Sequence, residues 1–386
     1  MKKNYVMTPG PVPISEEVMM EHGRPLMHHR SPEFSEIFTG LTGKLKRFMQ
    51  TENDVFVLTS SGTGAMEAAV TNAFCRGDKV LVVSVGNFGE RFKKISQTFG
   101  LEVLSLDYEW GKAADPSDVK KMLDENPDIK GVMIQQSETS TGVLNDIESV
   151  GKIVKDSPAI LIVDGISGIG ASELKVDEWN LDIVCGGSQK AISAPTGVAF
   201  ISVSKKAWPM VEKSDIPRFY FCLLAAKKYA DKVPPQTPWT PGISIIVAMN
   251  KALDMFFEEG KDNVYARHRV NALAVQKACG KLGLELLVKD PAARGVSVTP
   301  VLVPEGIDGK LLTKTMRVKY GVTIAGGQGK LTGLIFRIGH LGYVGIFDVL
   351  TAISSLEFAL KDQGRKFELG AGTSEAQRVF YENNYM

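Results

Sequence analysis

The sequence predicts an α/β fold, a large domain on a mostly parallel sheet covered by helices, followed by a smaller C-terminal α/β domain. Three observations lead there. Apolar runs at 55–59, 80–85, 102–106, 131–135, 159–163, 182–185 and 198–203 alternate with helical stretches near 64–75, 88–99, 116–125 and 147–156. That rhythm is expected of strands with helices on both faces. A long helical pattern then runs from about Ser244 through Leu282 and breaks at Glu259-Gly260, where the domain change is placed. Finally, 386 residues at 44% hydrophobic and 23% charged are enough for two domains of ordinary globular composition.

Taken in order, residues 1–14 read as an extended arm, because Pro9, Pro11 and Pro13 forbid a helix. Ser15 caps a helix with Glu16 and Glu17 in its first turn, where the helix dipole favours them. His28-His29-Arg30-Ser31-Pro32 interrupts before a second helix from about Pro32 to Met49. The strand–helix alternation follows. Residues 208–242 read as irregular, aromatic and proline-rich, ending Pro234-Pro235-Gln236-Thr237-Pro238-Trp239-Thr240-Pro241-Gly242. The domains are therefore expected at 15–259 and 260–386, the second with strands Leu284–Val288, Val296–Val303 and Leu334–Ile338 and further elements at 310–319, 322–326 and 346–362. From Gly364 the tail shows no clear periodicity.

Charge and composition exclude several classes. Lys and Arg total 45 against 44 Asp and Glu, a net charge of +1. That balance leaves no electrostatic footprint for nucleic acid or an anionic membrane. No apolar run approaches membrane-spanning length. The start Met1-Lys2-Lys3 has the charge of a signal peptide, but Asn4-Tyr5 and prolines follow instead of an apolar core, so no export is expected. Cys75, Cys185, Cys222 and Cys279 lack paired spacing and read as reduced thiols of a cytoplasmic protein. His28 and His29 have no evident third ligand, so no metal is expected.

Three strand ends carry the chemistry, and ligands of parallel sheets bind beyond such ends. Ser60-Ser61-Gly62-Thr63-Gly64 joins a strand to a helix, whose free N–H groups and dipole make an anion site. Many strand–helix junctions use the same residues merely to turn and cap. Leu161-Ile162-Val163-Asp164 ends a buried strand in a carboxylate, costly to bury unpaired. A protonated ring nitrogen would suit it, and so would a salt bridge or a helix cap. Asp182–Ala191 brings a strand through Gly186-Gly187-Ser188-Gln189 to Lys190, where small and apolar neighbours would lower an amine's pKa. A solvated surface lysine is the ordinary alternative. An anion cradle, a ring-nitrogen partner and a Schiff-base amine are together what pyridoxal 5'-phosphate needs from a protein. Arg337, within Gly333–His340, is a cation in an apolar strand that would fork a carboxylate or join an internal ion pair.

At these residues the chain resembles the class V aminotransferases of the fold-type I pyridoxal phosphate enzymes, in particular the alanine–glyoxylate and serine–pyruvate or serine–glyoxylate group. The resemblance runs from Thr8-Pro9-Gly10-Pro11 to Phe336-Arg337-Ile338-Gly339. It is carried by Ser60–Ala68, Gly86-Asn87-Phe88-Gly89-Glu90-Arg91, Glu138-Thr139-Ser140-Thr141-Gly142-Val143, Val163-Asp164 and Gly187-Ser188-Gln189-Lys190. The resemblance implies that Lys190 holds the cofactor covalently and shuttles the substrate proton, and that Asp164 pairs with the ring nitrogen. It further implies that Ser61, Gly62, Thr63 and Gln189 hold the phosphate, joined by Thr240 of a second subunit. Thr237 and Trp239 are the alternatives, since 234–240 holds no tyrosine for that contact. By the same resemblance Phe88 stacks on the ring, Thr139 reaches its hydroxyl, Arg337 binds the substrate α-carboxylate and Gly10 lines the pocket. Phe88, Thr139 and Thr63 stand where a tryptophan, a serine and a histidine are familiar.

The function implied is transfer of the amino group of alanine or serine to glyoxylate or pyruvate by a homodimer with shared active sites. The arm at 8–13 and the segment 234–242 support the dimer, as neither has an obvious core role in its own subunit. One alternative keeps the chemistry for another amine, 2-aminoethylphosphonate or a purine-derived amine. Another is a non-catalytic structural subunit, which would have no need of Lys190, Asp164 and Arg337 together. Cysteine desulfuration needs a mobile cysteine, and Cys279, the only candidate, lies in a helical pattern.

Overall fold

The computed structural model describes residues 3–384; the charged start at Met1 and Lys2 lies outside them. At the centre is a seven-stranded sheet in the order Asp54–Leu58, Ala199–Val203, Ile183–Gly187, Ile160–Asp164, Gly131–Gln135, Lys79–Ser84, Glu102–Asp107. Six strands run in one direction, and Ala199–Val203 is antiparallel to both neighbours. The carboxyl ends of Asp54–Leu58, Ile160–Asp164 and Ile183–Gly187 therefore share one edge.

The inner strands are buried along their length apart from Lys79 at the start of one, whereas the edge strand Glu102–Asp107 is largely half-exposed. This is why they read as continuous apolar runs: both faces carry helices. Successive side chains point to opposite faces, so Leu81 and Val83 join a core with Phe34, Leu45 and Phe256. Val80 and Val82 join one with Ala65, Met66 and Phe92 on the other face.

The helix ends follow the expected capping chemistry. Ser15 and Ser31 accept from Val18 and Phe34 N–H, and Pro32 opens the helix Pro32–Met49. Gly260, at φ +87°, separates Ile243–Glu259 from Lys261–Lys281. Beyond it Val298–Leu302, Ile335–Gly339 and Ala325–Gly326 form a second sheet. That sheet packs with Ile346–Asp362 on a separate core around Phe336, Leu356 and Phe380. The arm is extended, and Tyr5–Val6 pairs in parallel with Val322–Thr323.

Four expectations need correction. The stretch 208–242 is not irregular throughout: Trp208–Lys213 and Leu223–Ala230 are helices, obscured in sequence by the prolines and aromatics around them. Leu284–Val288 is not a strand and makes a single bridge, Leu286 to Val301. The tail contains the helix Ala371–Glu382, with Ala376, Val379 and Phe380 buried. Its start lacks a capping side chain of its own, and the Glu357 carboxylate supplies one by accepting from Gly370, Gly372 and Thr373 N–H. Finally, the arm does have a core role in its own chain, because Met7 and Val12 are buried there.

Candidate active site

Ser61 is the N-cap of the helix Gly62–Ala73, and its hydroxyl makes no capping bond. The N–H groups that open a helix have no intrahelical acceptor, which leaves those of Gly62 and Thr63 for an anion. A cation stands beside them: Arg91 donates from Nη1 to Thr63 Oγ1 at 2.8 Å. Gln189 follows the end of the strand Ile183–Gly187, and its Oε1 is buried without a hydrogen-bond partner among the described residues. Ile166 packs against the backbone of both Gly62 and Gly187, so the cradle and the lysine strand are joined by one side chain.

Asp164 is 5% exposed at the end of its strand. Oδ1 accepts from Ile166 N–H at 2.9 Å, and no described residue is bonded to Oδ2. Burial pushes its carboxyl up to about 6, against the pull of that N–H, Lys190 and Arg91. Lys190 is 8% exposed. Burial lowers its amine to about 8; Asp164 opposes the fall, while Arg337 and Arg91 add to it. Its Nζ donates to Pro9 O at 2.6 Å. Gly10, at φ +134°, lets the arm lie on the lysine, since any Cβ there would overlap Nζ. A carboxylate with a free oxygen and an amine of lowered pKa at one sheet edge could each serve a bound ligand.

The segment 137–142 ties the two parts of the chain together. Thr139 Oγ1 lies 2.5 Å from Ser167 Oγ, in the turn after Asp164. Thr139 O accepts from Arg337 Nη1 at 2.9 Å, and Gly326 O accepts from Arg337 Nε at 2.9 Å. Arg337 is 3% exposed, and burial lowers its guanidinium to about 10 while Glu138 opposes the fall. Its partners are carbonyls, with no ion pair among the described residues, so the internal-ion-pair alternative does not hold. Phe88 is half-buried in the first turn of the helix Asn87–Thr98, with the Arg91 guanidinium 4.5 Å from its ring centre.

Lys190, Asp164, Gly10, Ser61, Gly62, Thr63, Gln189, Phe88, Thr139 and Arg337 are thus connected around one sheet edge, directly or through Arg91, Ile166 and Ser167. Thr240 is not: it is exposed, with no hydrogen bond to the cluster among the described residues. Thr237 is buried and bonded to Trp239 O. The sequence reading assigned no role to Arg91 or Glu138, although both lie in the segments that carried the resemblance. A carboxylate just beyond the apolar run Gly131–Gln135 was a usable signal for Glu138, as it was for Asp164. Burial pushes the Glu138 carboxyl up to about 7, against hydrogen bonds from its neighbours. The desulfuration reading loses its candidate, as Cys279 is buried in the helix Lys261–Lys281 and burial drives its thiol up to about 12.

Comparison with known proteins agrees with this geometry. The family model described as Aminotransferase class-V matches residues 14–337. An uncharacterised aminotransferase of Methanocaldococcus jannaschii is 43% identical over 94% of this chain and 94% of its own length. A soluble hydrogenase small subunit of a Synechococcus species is 40% identical over 98% of each. A serine–glyoxylate aminotransferase of Hyphomicrobium methylovorum is 36% identical over 98% of this chain and 95% of its own. The solved ureidoglycine–glyoxylate aminotransferase of Bacillus subtilis superposes with a TM-score of 0.93 at 29% identity, covering 99% of both chains. With a lysine, a carboxylate and an anion cradle on one edge of a fold-type I sheet, the chain belongs to the class V aminotransferases and is a pyridoxal-phosphate-dependent enzyme.

Proposed function

We propose that the chain moves the amino group of a small α-amino acid, alanine or serine, to glyoxylate or pyruvate. The observation that carries this is Arg337, a buried guanidinium oriented by two main-chain carbonyls beside Lys190 and lacking a carboxylate of its own. The names of the Hyphomicrobium and Bacillus proteins, each with glyoxylate as acceptor, support the same reading.

The residues fit pyridoxal phosphate. The unspent Ser61 hydroxyl and the Gly62 and Thr63 N–H groups suit its phosphate, to which Gln189 would donate from its side-chain NH2, and the free Asp164 oxygen suits its ring nitrogen. Phe88 would stack on the ring and Thr139 reach its hydroxyl. When bound, the cofactor supplies an electron sink and a carrier for the amino group. Lys190 Nζ would take the proton from the donor's Cα and, in the second half of the reaction, give one to the acceptor's Cα, an exchange helped by burial that lowers its pKa to about 8. Arg337 holds the α-carboxylate and so fixes which Cα bond faces Lys190. Gly10 and Pro9 close the pocket over the small side chain and keep water from the amine.

Arg337→Lys keeps the charge and loses the fork. That variant should bind pyridoxal phosphate normally, while kcat/KM for alanine or serine falls by roughly 2–4 kcal/mol of transition-state binding. An amine lacking an α-carboxylate should be almost indifferent. Half-reactions followed through the cofactor absorbance with a panel of amines make the comparison. Unchanged alanine and serine kinetics would place the carboxylate elsewhere, a preferred aminophosphonate would sink the α-amino acid reading, and bound cofactor without any half-reaction would favour a non-catalytic subunit.

The division into an arm at 1–14, a large domain at 15–259 and a small domain at 260–386 belongs to this proposal, supported by the helix break at Gly260 and the separate core beyond it. A cytoplasmic homodimer does too. The dimer's support is an exposed aromatic group: Phe219, 80% exposed, and Tyr220 stack with Trp239 at 5.1 and 5.6 Å, next to Val233 and Thr240. Such patches mark interaction surfaces, and here a second subunit would bring Thr240 to its partner's phosphate. Sedimentation should give a dimer at assay concentrations, and Trp239→Glu should weaken it. An active monomer would refute the shared site.

A further inference from the structure

The helix Asn87–Thr98 begins without a cap of its own, since its N-cap is Gly86 and no side chain there accepts a hydrogen bond. Its opening N–H groups are satisfied from a segment about fifty residues away. Glu138 Oε2 accepts from Phe88 N–H at 2.9 Å and Gly89 N–H at 3.2 Å. Glu138 Oε1 accepts from Ser140 N–H at 3.1 Å and from Ser140 Oγ at 2.5 Å. Ser140 Oγ in turn accepts from Asn87 N–H at 2.8 Å. The carboxylate is fully buried and uses both oxygens twice. Gly86 makes room for it, because a Cβ there would overlap Glu138 and Ser140.

We propose that Glu138 is a positioning residue of the cofactor site, fixing the Phe88 ring through the first turn of the helix that carries it. The proposal rests on the reading that this site binds pyridoxal phosphate. Phe88 is the residue whose main-chain N–H Glu138 holds most closely, and its ring is gripped by Arg91, which also bonds Thr63 in the phosphate cradle. Glu138 is also joined in sequence to Thr139, whose carbonyl orients Arg337. One buried side chain thus sets the ring-stacking residue, while the next residue sets the carboxylate anchor.

Glu357 is an internal control, as it is equally buried and caps the helix Ala371–Glu382 from three N–H groups. That helix packs on Lys261–Lys281 and Ile346–Asp362, in the small-domain core, and no hydrogen bond joins it to the Lys190 cluster among the described residues. Glu138→Gln and Glu357→Gln each turn one acceptor into a donor facing N–H groups, so both should lower the melting temperature.

Only Glu138→Gln should weaken pyridoxal phosphate binding to the apoprotein, by about tenfold or more, the equivalent of leaving a buried donor unpaired. Titration of the cofactor's visible absorbance and circular dichroism reads this without any turnover. In a Phe88→Ala background the same change should shift affinity by less than about twofold, because the ring it positions is gone. Ser140→Ala, a milder change that removes the hydroxyl linking Glu138 to Asn87, should weaken binding several-fold and serves if Glu138→Gln does not fold. Wild-type affinity in both Glu138→Gln and Ser140→Ala would overturn the proposal, and so would an equal loss in Glu357→Gln or an undiminished loss in the Phe88→Ala background. Failure of the wild type itself to bind pyridoxal phosphate would instead sink the parent reading.

Discussion

Lys190→Ala is expected to abolish covalent attachment of the cofactor and to lower amino transfer by roughly a thousand-fold, within the range for removing a positioned general base. The wild type should be yellow, and borohydride reduction followed by peptide mapping should place the label on Lys190; a label on any other lysine rejects the assignment. The lowered pKa adds a second signature. Only the neutral amine attacks an aldehyde, so attachment to the apoprotein should speed up as pH rises and level off above about 8, where the buried amine has lost its proton. A rate still climbing toward pH 10 would mean a solvated lysine does the work. Ser61, Gly62, Thr63 and Gln189 are untouched, so on the proposed reading the alanine variant should still bind the cofactor reversibly.

Asp164→Asn should keep the cofactor bound and slow amino transfer by roughly a hundred- to a thousand-fold, the scale for losing one preorganised electrostatic partner. Single-turnover rates at saturating cofactor test this, and near-normal turnover would mean that Asp164 does not face the ring nitrogen. The same substitution makes an opposite prediction for stability. Burial raises the Asp164 carboxyl from its usual 3.8 to about 6. The unfolded chain therefore ionises first, and the native apoprotein loses stability as pH rises through that window, with the full penalty present above about 6. Asparagine can still accept from Ile166 N–H and carries no charge, so above pH 6 the variant apoprotein should melt no lower than wild type. A clearly lower melting temperature would mean that the carboxylate is a structural partner first.

Local pattern determined a large part of this protein. Inner strands buried on both faces announced themselves as apolar runs, and each of the seven strands, the two edges included, lies within a residue or two of its expected place. Ser15, Ser31-Pro32 and Gly260 gave helix boundaries because their chemistry is local: a hydroxyl within reach of the next turn, a ring that fixes φ, a residue free to adopt φ +87°. The positions of Lys190, Asp164 and Ser61–Thr63 at strand ends were readable for a related reason. The end of a parallel strand is a fixed place in space, so residue type and position already name a common edge.

What the sequence could not give was everything set by partners distant along the chain. The helices Asn87–Thr98 and Ala371–Glu382 begin without a side-chain cap of their own, and both are completed by buried glutamates, Glu138 and Glu357, from elsewhere. The second lies in a tail that shows no clear periodicity in sequence. Leu284–Val288 has strand-like composition, yet a strand exists only where a neighbour's ladder accepts it, and there a single bridge forms. Arg337 could have been an ion pair until the Thr139 and Gly326 carbonyls were seen to hold it. The arm had no obvious core role in its own subunit until Met7 and Val12 were seen buried there and its Pro9 carbonyl met the Lys190 amine. Residue type and period decide which segments form and which groups can react, because those depend on the nearest few residues. Which carbonyl orients a guanidinium, and which carboxylate finishes a helix, depends on contacts that exist only once the chain has closed on itself.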